Sequence, residues 1–272
     1  MKLLKAYLSF LDTFAPTIAA KKVYKVMSNP RIKKLRDFEN EVLDQSIKKT
    51  IRFNKFDIQT YYWGVLDRPV ALLVHGWEGQ AGNFGGIVPT LLKKGYQVIS
   101  FDAPSHGYSS KGPTNMFEYI ELVSELFREH QPEYVLSHSF GSIASAVALT
   151  ENQHLDISQW TIVTSPFSFR ERLEGIRQMV DVTDRTISRL IRQIEEDTKE
   201  LVDDLSMEKY CAKISNVDQI KIIHSVDDKI LPIQSSKQVH NHLPKAEMIE
   251  LKGLGHYRIL WSDELRKIIK ED

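Results

Sequence analysis

Short apolar runs rich in β-branched residues alternate with amphipathic stretches from about residue 49 onward, and this alternation limits the possible folds more than any other feature of the chain. Runs of this length are typical of strands that helices cover on both faces. The series predicts an α/β fold with a doubly wound, mostly parallel and right-handed sheet. The runs lie at 70–74, 97–101, 134–137, 160–163, 220–224 and 247–251.

Two further β-rich segments precede this series, at 50–53 and 56–63. They predict an N-terminal antiparallel strand pair that turns near Asn54 and Lys55. Between the strands, the spacing of apolar residues predicts helices at about 82–94, 116–130, 140–151, 234–242 and 263–270.

One interval between predicted strands is too long for a single crossover helix, because about 50 residues separate position 163 from position 220. Its residues 167–206 are helical in composition and highly charged. They predict a small helical cap over the carboxyl ends of the strands, where ligands bind in such sheets. We therefore expect an N-terminal amphipathic helical segment at 1–48, an α/β core at 49–166 and 207–272, and a cap insertion at 167–206.

Composition excludes several classes of protein. The 36 Lys and Arg residues balance 36 Asp and Glu residues, so the overall basic excess of a protein that wraps nucleic acid is missing. The single cysteine, Cys211, excludes an intramolecular disulfide and favours a reducing, cytoplasmic location. No Cys/His cluster has zinc spacing. No uncharged apolar run approaches the ~20 residues that span a bilayer, so we expect a soluble protein.

The N-terminus superficially resembles a signal peptide, since Lys2 and Lys5 precede an apolar stretch. Asp12 and Pro16 interrupt that stretch, however. An amphipathic helix is the preferred interpretation, with an apolar stripe at Leu4, Leu8, Leu11, Ala15 and Ile18.

Charge is distributed unevenly along the chain. Residues 1–36 hold nine Lys and Arg residues against Asp12 alone, which gives +8, whereas residues 195–208 hold seven acidic residues against Lys199, which gives −6. Solvated helix faces explain both segments without any function. Two sharper hypotheses are that the segments dock on each other, or that the basic N-terminal helix makes peripheral contact with an anionic membrane.

A candidate nucleophile follows the strand at 134–137. The chain there reads Ser137-His138-Ser139-Phe140-Gly141 and continues into a helix of small residues. This strand–turn–helix pattern is similar to the G-x-S-x-G nucleophile elbow, in which a strained turn lifts the serine clear of the sheet. Gly141 satisfies the need for a small residue, whereas Ser137 places a Cβ where the consensus has glycine. We expect crowding at Ser137.

A serine nucleophile also needs donors for the negative charge of a tetrahedral intermediate. The strand at 70–74 ends in His75-Gly76-Trp77, where Gly76 permits a turn that can aim the Trp77 N–H inward. The Phe140 N–H, at the start of the following helix, is the second predicted donor. Together these two backbone groups form the predicted oxyanion hole.

The general base and its acid are expected in the C-terminal third of the chain. Asp227 and Asp228 follow the strand at 220–224, and His256 lies on a glycine-rich loop after the strand at 247–251. A histidine that takes a proton from serine requires a carboxylate to set its tautomer. The chain order of serine, aspartate and histidine is therefore suitable, with either aspartate as the acid.

Five motifs in order make the chain resemble the α/β-hydrolase superfamily, particularly its bacterial members. They are HGW-x-G at 75–79, DAP-x-HG at 102–107, HSFG at 138–141, D-x-x-x-P at 228–232 and G-x-GH-x-RIL at 253–260. The resemblance implies a hydrolase fold, a covalent acyl-enzyme and no cofactor. It also favours Asp228 over Asp227, because the family's acid stands four residues before its proline.

On this basis we predict a serine hydrolase with Ser139 as nucleophile, His256 as base and Asp228 as acid. The predicted substrate is a carboxylic ester of a small or medium acyl group, with thioester, amide or carbon–carbon cleavage as alternatives that use the same triad. The residues Trp77, Phe167, Phe169 and Met179 indicate either an apolar substrate group or core packing.

Two other classes compete with this prediction. A hydrolase-fold protein without activity could serve as a binding module, although all three triad residues are present. A dinucleotide site is disfavoured because Gly76, Gly79 and Gly82 have the spacing G-x-x-G-x-x-G rather than G-x-G-x-x-G. The remaining candidates, expected to be structural, are His75, His106, His138, His224 and Cys211.

Overall fold

The computed structural model describes residues 2–30 and 35–271, with side chains described from residue 6 onward. The chain forms one eight-stranded sheet in the order β1-β2-β4-β3-β5-β6-β7-β8. The strands are β1 Ile47–Phe53, β2 Phe56–Trp63, β3 Val70–Val74, β4 Gln97–Phe101, β5 Tyr134–His138, β6 Ile157–Val163, β7 Val217–Ser225 and β8 Glu247–Leu251.

Pairing within the sheet confirms the predicted fold class. β1 pairs antiparallel with β2, and β2 pairs antiparallel with β4, whereas every other neighbouring pair is parallel. Asn54 adopts a φ of 48° at the predicted turn between β1 and β2. Because β3 lies between β4 and β5, the strand order reverses beside β3. Ligands of open α/β sheets bind at the carboxyl ends of strands at such a reversal.

Helices cover both faces of the sheet and bury an apolar layer on each face. Those from the N-terminus to the middle of the sheet are α1 Lys2–Phe14, α2 Pro16–Met27, α3 Asp37–Asp44, α4 Val88–Lys93, α5 Met116–His130 and α6 Gly141–Glu151. The remainder are α7 Phe169–Val180, α8 Asp184–Thr198, α9 Met207–Cys211, α10 Ile233–His242 and α11 Asp263–Glu271. We refer to α7 and α8, which lie between β6 and β7, as the cap helices.

The prediction of one continuous helix at 82–94 is wrong. The chain instead forms a short 3₁₀ turn at Ala81–Phe84 and begins α4 only at Val88. Pro89 stands in the first turn of α4, where its missing N–H is tolerated. Gly85 and Gly86 separate the two elements and allow Trp261 to pack closely, since a Cβ on Gly85 would lie 2.5 Å from that ring. Other predicted bounds agree to within three residues.

The N-terminal apolar stripe also requires correction. A residue before proline is disfavoured in helical conformation, and Ala15, with φ of −147° and ψ of 61°, separates α1 from α2. Leu8 is buried, but Ile18 is exposed because the chain turns before it. No helix of the described residues is both long and apolar enough to cross a bilayer.

α2 packs on α8, the helix whose C-terminal part lies in the acidic segment. The contact has an apolar part, since Ala20 and Val23 belong to the same buried core as Ile187 and Leu190. It also has a polar part, in which the hydroxyl of Tyr24 is hydrogen-bonded to Asp197. The basic residues remain outside it, and no ion pair joins the two segments among the described residues. The structure does not describe Arg31, Lys33 and Lys34, and it does not describe the side chains of Lys2 and Lys5.

Candidate active site

Ser139 occupies the sharp turn between β5 and α6. Its φ is +54°, in the left-handed region that residues with a side chain adopt only when the surrounding structure holds them there. The Ser139 N–H donates to the carbonyl of Val163 at 3.1 Å and so fastens the turn to β6. This conformation is the strained one that a nucleophile elbow requires.

Two glycines allow the loop after β3 to approach this turn. A Cβ on Gly141 would lie 2.4 Å from the carbonyl oxygen of Val74, and a Cβ on Gly76 would lie 2.8 Å from the Cβ of Ser139. Real Cβ atoms essentially never lie this close to other heavy atoms. The small size of both residues is therefore what brings the Trp77 loop beside Ser139.

Ser137, where we expected crowding, is accommodated and has a partner. Its hydroxyl accepts a hydrogen bond from the indole Nε1–H of Trp160 at 2.9 Å, and it lies 3.4 Å from the hydroxyl of Ser142. Ser137 and Trp160 are both fully buried. A buried indole N–H needs an acceptor, and glycine at position 137 could not supply one.

His256 and Asp228 form a close pair behind the elbow. The Nδ1 of His256 lies 2.7 Å from Oδ2 of Asp228, and the side chains are 4% and 1% exposed respectively. Because Asp228 is a hydrogen-bond acceptor when ionised, Nδ1 carries the proton. The Nε2 of His256 is then the unprotonated nitrogen, with no hydrogen-bond partner among the described residues, and can act as a base.

The environment of Asp228 favours the carboxylate. Burial opposes ionisation, but the hydrogen bond and charge of His256, together with backbone N–H groups, outweigh it and lower the pKa of Asp228. Those N–H groups belong to Ile230 and Leu231, at 2.8 and 3.0 Å from Oδ1. The alternative acid, Asp227, is exposed and instead accepts from the Gly253 N–H at 2.6 Å.

Two more histidines hold this pair in place. The Nε2 of His138 donates to the carbonyl of His256 at 2.9 Å, while His224 Nε2 donates to the carbonyl of Leu231 at 3.1 Å. Burial lowers the pKa of both rings and keeps them neutral. The sequence favoured packing or supporting roles for both residues, and their contacts fix the backbones on either side of the His256–Asp228 pair.

Trp77 and Phe140, the predicted oxyanion donors, flank Ser139 in the same cavity. Neither backbone N–H donates to any acceptor within the part of the chain that the structure describes. Buried N–H groups normally have partners, so two free ones beside a serine are suited to an oxyanion.

The loop after β3, which carries Trp77, is held in place by hydrogen bonds to buried residues. His106 Nε2 accepts from the Glu78 N–H at 3.0 Å, and His75 Nε2 accepts from the Ala103 N–H at 3.1 Å. Asp102, the acid of the disfavoured dinucleotide hypothesis, accepts from the Ala81 N–H and the Tyr61 hydroxyl, each at 2.8 Å. These contacts explain His75, His106 and Asp102 as supports of the loop.

A cavity of about 910 Å³ opens over the elbow and contains Ser139, His256, Trp77 and Phe140 on its wall. Much of the opposite wall comes from the cap helices. Apolar side chains from the cap helices and from α5 and α6 line the cavity, and the sequence did not identify most of them. They are Met116, Ile143, Phe169, Leu173, Ile187 and Ile191. Amphipathic periodicity in 167–206 could have identified the buried faces, but not the void between them and the sheet.

Two residues considered for the substrate pocket lie elsewhere. Phe167 packs against the ring of His242, with 5.1 Å between centroids, and Met179 is 48% exposed on α7. Cys211 is buried, and burial raises the pKa of its thiol to about 12, so it is not a thiolate nucleophile. A second cleft of about 940 Å³ between α5 and α8 is lined by acidic, basic, polar and apolar side chains, and no histidine is among them.

Comparison with known proteins agrees with this architecture. The family described as "alpha/beta hydrolase fold" matches residues 69–163, which include Trp77 and the elbow at Ser139. The esterase Pf2001 of Pyrococcus furiosus superposes with a TM-score of 0.65 at 16% identity, covering 90% of this chain and 96% of the esterase. Residues 69–163 thus match the α/β-hydrolase family, and the chain as a whole shares the fold of this esterase.

The chain is also similar in sequence to proteins named as serine hydrolases. A probable serine hydrolase of Drosophila melanogaster is 30% identical over 91 residues, which cover 31% of this chain and 27% of that protein. A human serine hydrolase-like protein is 31% identical over 91 residues, covering 31% of this chain and 44% of the relative. The match therefore spans less than half the length of either relative.

Proposed function

We propose that this protein is a serine hydrolase, and specifically a carboxylesterase for small or medium acyl groups, with Ser139, His256 and Asp228 as its triad. The observation that carries the proposal is the convergence of three features on one cavity. These are a serine at φ +54°, a histidine held by a buried carboxylate at 2.7 Å, and two unpaired backbone N–H groups. Similarity to named serine hydrolases supports the same activity.

Acylation follows from the proton positions. The Nε2 of His256 takes the proton from the Ser139 hydroxyl as its oxygen attacks the ester carbonyl carbon. Negative charge moves to the carbonyl oxygen, which accepts hydrogen bonds from the Trp77 and Phe140 N–H groups. When the tetrahedral intermediate collapses, the carbon–oxygen bond to the alcohol breaks. His256 then protonates the departing alkoxide, and the acyl group stays on Ser139.

Deacylation repeats these steps with water. His256 removes a proton from water, the hydroxide attacks the acyl carbonyl, and collapse returns the proton to Ser139 with release of the carboxylic acid. Asp228 stays ionised throughout and stabilises the imidazolium, since its pKa is lowered. The buried carboxylate also keeps the Nδ1 proton in place through both halves of the cycle.

The cavity supports an apolar acyl group. About 910 Å³ is within the size range of small-molecule sites, and the cap helices contribute leucine and isoleucine side chains to the wall. Charged and polar side chains, among them Arg170, Arg172, Glu174 and Ser188, line other parts of it. A medium-length acyl chain can therefore lie against the cap helices while its ester carbonyl reaches Ser139.

Labelling with a fluorophosphonate probe tests the nucleophile. The wild-type protein should label, whereas Ser139→Ala and His256→Gln should not. Ser188→Ala is the matched control, because this serine lines the same cavity without an elbow and its loss should leave labelling unchanged. A wild-type protein that fails to label would support a binding module without catalysis, and a Ser139→Ala variant that labels equally would show that Ser139 is not the nucleophile.

Rates on p-nitrophenyl esters of increasing acyl length, with one thioester and one anilide for comparison, test the substrate class. We expect the ester rates to be highest at short to medium lengths. Ile191→Trp should shift the preference toward acetate, because Ile191 is a half-buried cavity residue on α8 and indole would fill the space beside it. A thioester or anilide rate above the ester rates would contradict the carboxylesterase assignment.

A further inference from the structure

An aromatic face on α1 lies open to solvent. Tyr7, Phe10 and Phe14 are 47%, 61% and 73% exposed, and their spacing of three and four residues places them on one side of the helix. The rings of Phe10 and Phe14 contact each other with centroids 5.0 Å apart. Large apolar side chains that cluster in solvent mark an interaction surface.

Basic residues lie exposed on the next helix, α2. Lys21, Lys22 and Lys25 are exposed together with Ile18, which is 49% exposed. Within the described ranges none of the three lysines is paired with a carboxylate. Only three residues separate Phe14 from Ile18, so the aromatic and basic parts are neighbours along the chain. We call Tyr7, Phe10, Phe14, Ile18, Lys21, Lys22 and Lys25 the N-terminal face.

The opposite side of these helices is held firmly by the cap helices. Asp12 is buried and accepts from the backbone N–H and the hydroxyl of Thr183, at 3.0 and 2.9 Å. Thr183 precedes α8, and Arg189 on α8 donates to the hydroxyl of Thr17 at 2.9 Å. These hydrogen bonds hold α1 and α2 against the cap helices, and the N-terminal face remains exposed to solvent.

We propose that the N-terminal face binds the surface of an anionic lipid bilayer. Aromatic rings are suited to the boundary between headgroups and acyl chains, and lysines beside them are suited to lipid phosphates. Charge distribution supports this partner, since residues 1–36 sum to +8 in a chain whose formal charge is zero. An apolar groove on another protein would leave the three lysines without opposite charge.

The position of the face connects membrane binding with the cavity. α1 packs on α7 and α2 packs on α8, and residues of both cap helices line the cavity over Ser139. Binding to a bilayer would therefore hold the cap helices near lipid molecules. If the proposed esterase activity is correct, acyl esters that partition into the bilayer would be concentrated beside the pocket.

Flotation of the full-length protein with vesicles tests membrane binding without using activity. Vesicles of phosphatidylcholine alone are compared with vesicles that contain about 30 mol% phosphatidylglycerol, which gives a strongly negative surface. We expect binding to the anionic vesicles, weakened by salt, and little binding to neutral ones. Absence of binding to both compositions would overturn the proposal.

Two variants and a control locate the binding surface. Phe10→Ser with Phe14→Ser should weaken partitioning by roughly tenfold, since two interfacial anchors are lost. Replacement of the three lysines by Gln should reduce binding to anionic vesicles by on the order of a hundredfold, at about fivefold for each lysine. The control is Val65→Ser with Leu66→Ser, an equally exposed apolar pair (68% and 63%) outside the face, which should bind as the wild type does.

Folding and self-association are checked on the same samples. Circular dichroism melting of each variant shows whether the fold is intact, and equal flotation of a folded Phe10→Ser, Phe14→Ser variant would refute the proposal. Size-exclusion chromatography without lipid distinguishes a second copy of the chain as the occupant. A wild-type dimer that this double variant converts to a monomer would assign the face to self-association instead.

Discussion

Replacing Ser137 by glycine restores the residue that the elbow consensus carries, yet we predict that Ser137→Gly destabilises the protein. Two effects oppose each other at this position. If the Ser137 Cβ crowds the turn, its removal should stabilise the fold. If the hydrogen bond from Trp160 dominates, its loss should destabilise the fold, and the sign of the change distinguishes the two.

The structure favours the second effect. The Ser137 hydroxyl lies 2.9 Å from the indole Nε1 of Trp160, and both residues are 0% exposed, so no water can replace the lost acceptor. An unsatisfied buried donor costs about 1–3 kcal/mol. Glycine within a strand adds about 0.5–1 kcal/mol relative to alanine. We therefore expect Ser137→Gly to lower the free energy of unfolding by about 1.5–4 kcal/mol, summed from these two terms.

Urea unfolding followed by far-ultraviolet circular dichroism measures this change. Ser137→Ala isolates the hydroxyl and should lower the free energy of unfolding by about 1–3 kcal/mol. In a double-mutant cycle with Trp160→Phe, which removes the donor, the two changes should be coupled by about 1 kcal/mol or more. A Ser137→Gly protein as stable as the wild type, or an additive cycle, would show that this reasoning is wrong.

Three further predictions concern the His256–Asp228 pair and its surroundings. Asp228→Asn should lower kcat by roughly 10⁴, because its amide oxygen stays with the Ile230 and Leu231 N–H groups and its NH2 group then faces Nδ1 and stabilises the wrong tautomer of His256. Asp227→Asn, whose amide oxygen can still accept from Gly253, should stay near wild type in ester hydrolysis assays. His138→Leu should lower kcat by roughly tenfold to a hundredfold with little change in KM, because it frees the carbonyl of His256. Burial lowers the pKa of His75, His138 and His224, so the unfolded chain binds more protons below about pH 6.5. Stability in urea should therefore fall as the pH drops from about 6.5 to 5, by up to roughly 1.4 kcal/mol per pH unit for each histidine, and a flat profile would contradict their neutrality.

The choice between Asp227 and Asp228 as the acid could not be made from the residues alone. Asp227 and Asp228 follow the same strand, and the residues alone left both open as the acid. Their side chains leave the loop in different directions, so that only Asp228 lies against His256 while Asp227 accepts from Gly253. Such directions depend on the path of the loop, which the Ile230 and Leu231 N–H groups fix by binding Asp228 itself.

The fold class could be read from the sequence because it depends on local patterns. Alternating β-rich runs and amphipathic helices specify a parallel sheet, and the carboxyl ends of parallel strands meet at one edge. For that reason Ser139 and His256, far apart in the chain, could be predicted to lie near each other. The break at Ala15 and the divided helix after residue 80 were missed, since proline and glycine changed the local geometry there.

Features that join distant segments were decided only by the tertiary structure. The bond between Ser137 and Trp160 links two strands, the cavity needs the cap helices and the sheet together, and the exposure of Phe10 and Phe14 depends on which side of α1 meets α7. The physical reason is that local propensity selects the elements, whereas close packing selects which of their surfaces meet. The sequence alone determined the sheet and the order of candidate site residues, and packing decided which partners those residues have.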